Sequence, residues 1–208
     1  MLITEAIEKG DISQVKKLLS KITANERDDR KRTPLHIAVS SGNEEIFKLI
    51  VSNKKIDINA QDDRGWTALH YAAVKNISIC EQLLLNRNIK VNIVNEDKTS
   101  AFLFFCMLSI DKSELSIGQY YRMLNLFLQK GIDVNDKNIF GENSLHWAAR
   151  SGNTEAIDFL CRNNCDANSV TRLLFTLFYL ISLDFSILYF ISGIFIFLIF
   201  YFLFPSLF

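Results

Sequence analysis

A six-residue phrase returns along this chain at nearly fixed spacing, and no other feature restricts the fold as much. It reads Thr33-Pro34-Leu35-His36-Ile37-Ala38, then Thr67-Ala68-Leu69-His70-Tyr71-Ala72, and later Asn143-Ser144-Leu145-His146-Trp147-Ala148. A degraded copy, Ser100-Ala101-Phe102-Leu103-Phe104-Phe105, lies between the second and the last. The first three starts, at 33, 67 and 100, are 34 and 33 residues apart. Self-similarity at that period marks a stack of small units, none of which can bury its apolar face alone.

A second marker precedes each phrase: Asn25, Asp57-Ile58-Asn59, Lys90-Val91-Asn92 and Asp133-Val134-Asn135, with Asp166-Ala167-Asn168 near the end. Six residues after the marker asparagine stands Lys31, Gly65, Lys98 or Gly141, a place suited to a turn with positive φ. Thr33 and Thr67 are placed to cap a helix, and Pro34 falls in a first helical turn. These short helices are expected to end at Ser41-Gly42, Asn76 and Gly152 in left-handed caps. A second helix then follows, with apolar residues at helical spacing such as Ile46, Leu49 and Ile50, or Ala156, Ile157 and Leu160.

The unit so read resembles the ankyrin repeat, most closely over Asp63–Ala73 and in the fourth copy. The first copy has Lys31 for glycine, and the third has lost glycine, threonine and histidine together. The resemblance implies an all-α ankyrin-repeat solenoid of helix-turn-helix units with β-turn or hairpin connections, and the apolar residues beyond it are expected to form a hydrophobic C-terminal helical segment. The repeat domain is expected over 1–168. A partial repeat at 2–24, with polar Glu5, Glu8, Lys16 and Lys17 facing water, caps the array. Repeats follow at about 25–58, 59–91, 92–134 and 135–168. The third carries an insertion near 107–118, between its two helices.

The chemistry expected is equally restricted. Basic and acidic residues balance at 23 each and are interspersed, which argues against a nucleic-acid partner. Cys80, Cys106, Cys161 and Cys165 show no framework spacing and read as buried reduced thiols, hence a cytoplasmic setting. No signal peptide is visible at the N-terminus. The three histidines repeat one position in successive units. Packed helices lie about 8–10 Å apart, too far for one zinc ion to draw nitrogens to about 2.0–2.1 Å. The family resemblance implies instead that each binds the backbone of a neighbouring turn. No cofactor, metal, small-molecule substrate or catalytic group is expected.

What remains is a non-catalytic scaffold for a protein partner. By family position the contacts fall on turn tips and the inner face of the first helices: Arg30, Arg32, Asp63, Arg64, Trp66, Lys75, Glu96, Thr99, Ile139, Phe140, Glu142 and Arg150. Trp66 and Phe140 are the aromatics among them. Tyr71 and Trp147, which follow the repeated histidine, are expected to be core.

Beyond residue 172 the composition changes. No Lys or Arg follows Arg172, and residues 173–208 are almost entirely Phe, Leu, Ile, Tyr and Ser. Phe185 to Phe204 forms an uncharged run long enough, at about 1.5 Å per residue, to cross a bilayer core. Because all basic residues precede it, the positive-inside rule gives a tail-anchored protein with cytoplasmic repeats and a membrane partner. A rival reading fits the same residues. The tail has no Ala and no Val, and its residue types share T-rich codons, as translated non-coding sequence would. The repeats would then be the targeting module of a larger multidomain protein such as a kinase.

Overall fold

The computed structural model describes residues 3–19, 25–108 and 116–167. Ten helices succeed one another in antiparallel pairs: α1 (Ile3–Glu8) with α2 (Ile12–Leu19), α3 (Pro34–Ser41) with α4 (Glu44–Val51), and α5 (Ala68–Lys75) with α6 (Ile77–Leu85). The last two pairs are α7 (Ala101–Cys106) with α8 (Ile117–Gln129), and α9 (Ser144–Ser151) with α10 (Thr154–Arg162). The first helices of the pairs pack in consecutive order, α1 on α3, α3 on α5, α5 on α7 and α7 on α9. One core runs between the two rows of helices, from Ile3 and Ile7 through Leu35, Phe47, Leu69 and Phe102 to Phe127 and Leu160.

Each full unit begins with a tip whose conformation is set by one side chain. Asp28 Oδ1 accepts the amides of Arg30 and Arg32 at 3.0 and 2.8 Å. Asp62 Oδ1 does the same for Arg64 and Trp66 at 2.9 and 2.8 Å. Asn138 Oδ1 serves Phe140 and Glu142, and Asn95 Oδ1 serves Thr99. The tip residues Lys31, Gly65, Lys98 and Gly141 all have φ between 55° and 77°. A Cβ on Gly65 would lie 3.0 Å from the Cα of Asn95 in the next tip, so this glycine is required twice over. Consecutive tips are joined by one backbone bond each, Asp63 N–H to Arg30 O, Glu96 N–H to Arg64 O, and Ile139 N–H to Asp97 O, at 2.9, 3.0 and 2.9 Å.

Several expectations are corrected. The tips are tight turns and not hairpins: among the described residues no strand forms, and the one bridge is the isolated pair Val94–Ser100. Side-chain acceptors satisfy the amides that strand pairing would have used. Gly42 and Gly152 are left-handed C-caps, at φ 72° and 70°, but Asn76 is extended at φ −149°. Its side chain is already occupied in capping α6, accepting the Ile79 amide at 2.9 Å. The insertion is not wholly loop, since α8 has 13 residues against 8 or 9 in α4, α6 and α10.

The membrane-spanning helix, with the tail-anchored placement and membrane partner drawn from it, is also corrected. Among the described residues no helix is long and apolar enough to cross a membrane. The segment 173–208 to which that expectation was attached lies outside the described residues.

Candidate functional site

The repeated histidines are buried, and in His36 and His70 both ring nitrogens are engaged. His36 Nδ1 accepts the Thr33 amide at 3.0 Å, which leaves Nε2–H to donate to the Trp66 carbonyl at 3.1 Å. His70 repeats the pattern, accepting from Thr67 and donating to the Thr99 carbonyl, both at 3.1 Å. Each ring therefore closes its own N-cap and bonds the next unit. Burial holds His36 below the ordinary imidazole pKa and pushes His70 down to about 4, so both are neutral near pH 7. Neither offers a lone pair to a metal or a substrate.

One residue further on, the chain turns from core to surface. Tyr71, Phe104 and Trp147 occupy the same register on α5, α7 and α9, and all are half-buried. With Trp66 they form a continuous row of rings across three units. Centroids lie 5.2 Å apart for Tyr71–Trp66, 4.8 Å for Trp66–Phe104 and 5.2 Å for Phe104–Trp147. The expectation that Tyr71 and Trp147 would be core is thus overturned. Ala72 and Ala148, which follow them, turn into the core instead, because small residues let the helix rows approach. The signal that could have revealed the row was its register: an aromatic four residues after each cap, in three consecutive copies.

The polar edges of Tyr71 and Trp147 are satisfied inside the protein. Tyr71 O–H donates to Asp62 Oδ2 at 2.7 Å, and Trp147 Nε1–H donates to Glu142 Oε2 at 3.0 Å. Burial, then the bond to the Asp62 carboxylate, raises the Tyr71 phenol well above its usual range. Glu142 also accepts from Asn138 Nδ2 and is paired with Arg150. Burial opposes its charge, but these donors prevail and hold the carboxyl below the ordinary value. The Arg150 guanidinium in turn lies over the Trp147 ring, 5.8 Å from its centre.

The residues expected at a partner surface separate into three groups. Trp66, Glu142 and Arg150 belong to the aromatic row or its end. Arg30, Asp63, Arg64, Glu96, Ile139 and Phe140 are exposed on the tips, the last two at 53% and 59% exposure. Lys75 stands exposed at the end of α5, with Nζ 3.5 Å from Ser40 Oγ. Arg32 is half-buried and ion-paired to Asp28 at 2.8 Å, and Thr99 is buried beneath its tip.

The cysteines are poorly disposed to act as nucleophiles. Burial raises the pKa of Cys80, Cys106 and Cys161, and lifts Cys165 to about 11. Among the described residues no three His, Cys, Asp or Glu side chains converge as a metal site.

Family models agree with this architecture. One described as three copies of ankyrin repeats matches residues 3–95, and another, of many copies, matches 114–160. A probable serine/threonine-protein kinase of Dictyostelium discoideum is 37% identical over 150 residues, covering 68% of this chain and 17% of the kinase. Human Rabankyrin-5 is 28% identical over 180 residues, 78% of this chain and 15% of that protein. A putative ankyrin repeat protein of fowlpox virus is 34% identical over 95 residues, covering 46% of this chain. The chain spans less than a fifth of the length of each relative it matches.

Proposed function

The chain belongs to the ankyrin-repeat family, and on that premise we propose that it is a non-catalytic module that binds a protein partner along its inner face. The observation that carries this reading is the row Tyr71–Trp66–Phe104–Trp147. Four large rings stay half-exposed although the Tyr71 hydroxyl and the Trp147 indole N–H are already bonded within the fold, so those polar groups do not account for the open ring faces. Interfaces favour such rigid aromatic anchors beside arginine. Val74 and Met107 extend the apolar surface one helical turn past Tyr71 and Phe104 and are exposed at 38% and 37%. Arg30, Arg32, Asp63, Arg64, Glu96, Thr99, Ile139 and Phe140 on the tips, with Lys75, would border the bound partner, Thr99 only through its neighbours.

The reading can be tested with the full chain carrying a photoreactive residue at Val74, at Met107, or at Leu85 on the outer row. Discrete protein adducts at 74 and 107, absent at 85, are expected, with those at 74 lost on Met107→Lys and those at 107 lost on Val74→Lys. Adducts as abundant from position 85 would remove the inner face from consideration.

A further inference from the structure

The first, second and fourth units set a carboxylate beneath or beside the tip turn and do not treat it alike. In the first unit Asp28 is neutralised from within the tip by Arg32, four residues later. In the fourth unit the carboxylate is Glu142, neutralised by Arg150, whose guanidinium also covers Trp147. In the second unit the carboxylate is Asp62, only 7% exposed. The residue four after it, in the register of Arg32, is Trp66, and the register of Arg150 holds Val74.

Asp62 accordingly has three neutral donors, the amides of Arg64 and Trp66 and the Tyr71 hydroxyl, and among the described residues no cation within ion-pair distance. The titratable groups that feel its charge from α3 and α5 are His36, His70 and Tyr71, and all are neutral near pH 7. A carboxylate accepts at about four lone-pair positions, so one remains. In the third unit the equivalent tip residue is Asn95, which carries no charge to balance.

We propose that the second unit is an arginine-binding subsite: a partner's guanidinium stacks on Trp66 and Tyr71 and shares Asp62 Oδ2, completing in trans what Arg32 and Arg150 complete within their own units. This deepens the inner-face reading and rests on it. The protein itself shows that the arrangement accommodates such a group, because Arg150 sits on Trp147 while pairing with a carboxylate whose side chain is only 6% exposed. A planar, weakly hydrated cation suits a site with an aromatic wall better than an ammonium does.

The test uses the intact chain, with acetyl-arginine-amide as probe and its citrulline and lysine counterparts as controls, following the indole N–H resonance of Trp66. The substitution Asp62→Asn keeps the tip acceptors, since asparagine stands at the same place as Asn95 and Asn138. We expect a saturable shift with the arginine probe that is about fivefold or more weaker with citrulline, with lysine, and in Asp62→Asn. No shift, a citrulline response equal to that of arginine, or an unaltered affinity in Asp62→Asn overturns the assignment, and lysine binding as tightly as arginine overturns its planar-cation basis. If the arginine probe fails while partner adducts at 74 and 107 persist, the inner face still binds protein and only the arginine subsite is refuted. If those adducts fail while the probe binds, the subsite stands without the wider reading.

Discussion

At the scale of single residues the third unit exposes what the repeated histidine does. Leu103 occupies its register, and the buried hydroxyl of Ser100, the cap of α7, has no hydrogen-bond partner. A buried unsatisfied hydroxyl costs about 1–3 kcal/mol. Leu103→His would give Ser100 an acceptor and aim a donor at the Glu142 carbonyl, the register mate of those of Trp66 and Thr99. It should raise stability in urea by about 1 kcal/mol, and a loss of more than that would show that Leu103 is held by packing alone. Protonation makes a second prediction. The unfolded chain takes a proton on His70 near pH 6.5, the folded chain only near 4, so this histidine's contribution is complete above about pH 6.5 and is lost as pH falls towards 4. About 2 kcal/mol should disappear between pH 7.5 and 5, and the His70→Gln variant should show a shallower decline. An equal slope in both would mean that burial does not govern the titration. The threonine caps were legible from residue types at fixed offsets, and the role of the histidines from the family resemblance. Thr99 was not read as buried, because nothing in the chain reveals that its amide is held by Asn95 and its carbonyl by His70.

At the scale of elements, tips and caps decide where each helix lies. Lys98 sits at φ 55° in the slot that Gly65 and Gly141 fill elsewhere. A side chain there is strained by roughly 1 kcal/mol, so Lys98→Gly should stabilise the chain by several tenths of that, measured by thermal unfolding. Destabilisation would indicate that the lysine side chain makes up for its backbone. Among the outer-helix caps, Asn43 bonds only the Ile46 amide, whereas Asn153 caps α10 and also donates to Cys106 O and Tyr120 Oη. Asn43→Ala should cost about 1 kcal/mol and Asn153→Ala about 2–3, because the latter leaves buried acceptors unpaired. Equal costs would reduce Asn153 to an ordinary cap. The helix pairs themselves could be read from periodicity. The extension of α8 and the extended backbone of Asn76 could not, since an inserted residue is equally compatible with loop or helix, and an asparagine with either cap.

At the scale of the molecule, the seams between units are not all built alike. The first two full seams have a histidine-to-tip bond and a pair of asparagine bonds, Asn25 with Lys55 and Asp57, and Asn59 with Asn88 and Lys90. The seam between the third and fourth units has no histidine bond. It keeps an asparagine bond, Asn92 to the Gly131 carbonyl, and gains ties on the helix side through Asn153 and the contact of Phe104 with Trp147. In a stack whose units touch only neighbours, local opening should follow the seams. The Ile139 amide, bonded to Asp97 O, should exchange with solvent faster than the Glu96 amide, bonded to Arg64 O. The reverse order would show that the histidine bonds do not set seam strength. The stacked architecture was evident from the period of the motif. The aromatic row was legible only in part: Tyr71, Phe104 and Trp147 share a register in the sequence, but Trp66 joins them from a tip, a contact that the stacking of the units creates.

That displaced tie has a mechanical meaning. A joint fastened more firmly along one side bends about that side, so the fourth unit, held at its tip by the Ile139–Asp97 bond and without a histidine bond, would rotate as a flap with Asn153 near its pivot. Phe104 and Trp147 face each other across this joint. A partner wedged along the rings would set the angle of the flap, and the tip carrying Ile139 and Phe140 would swing with it, a lever that converts occupancy of one face into the position of another.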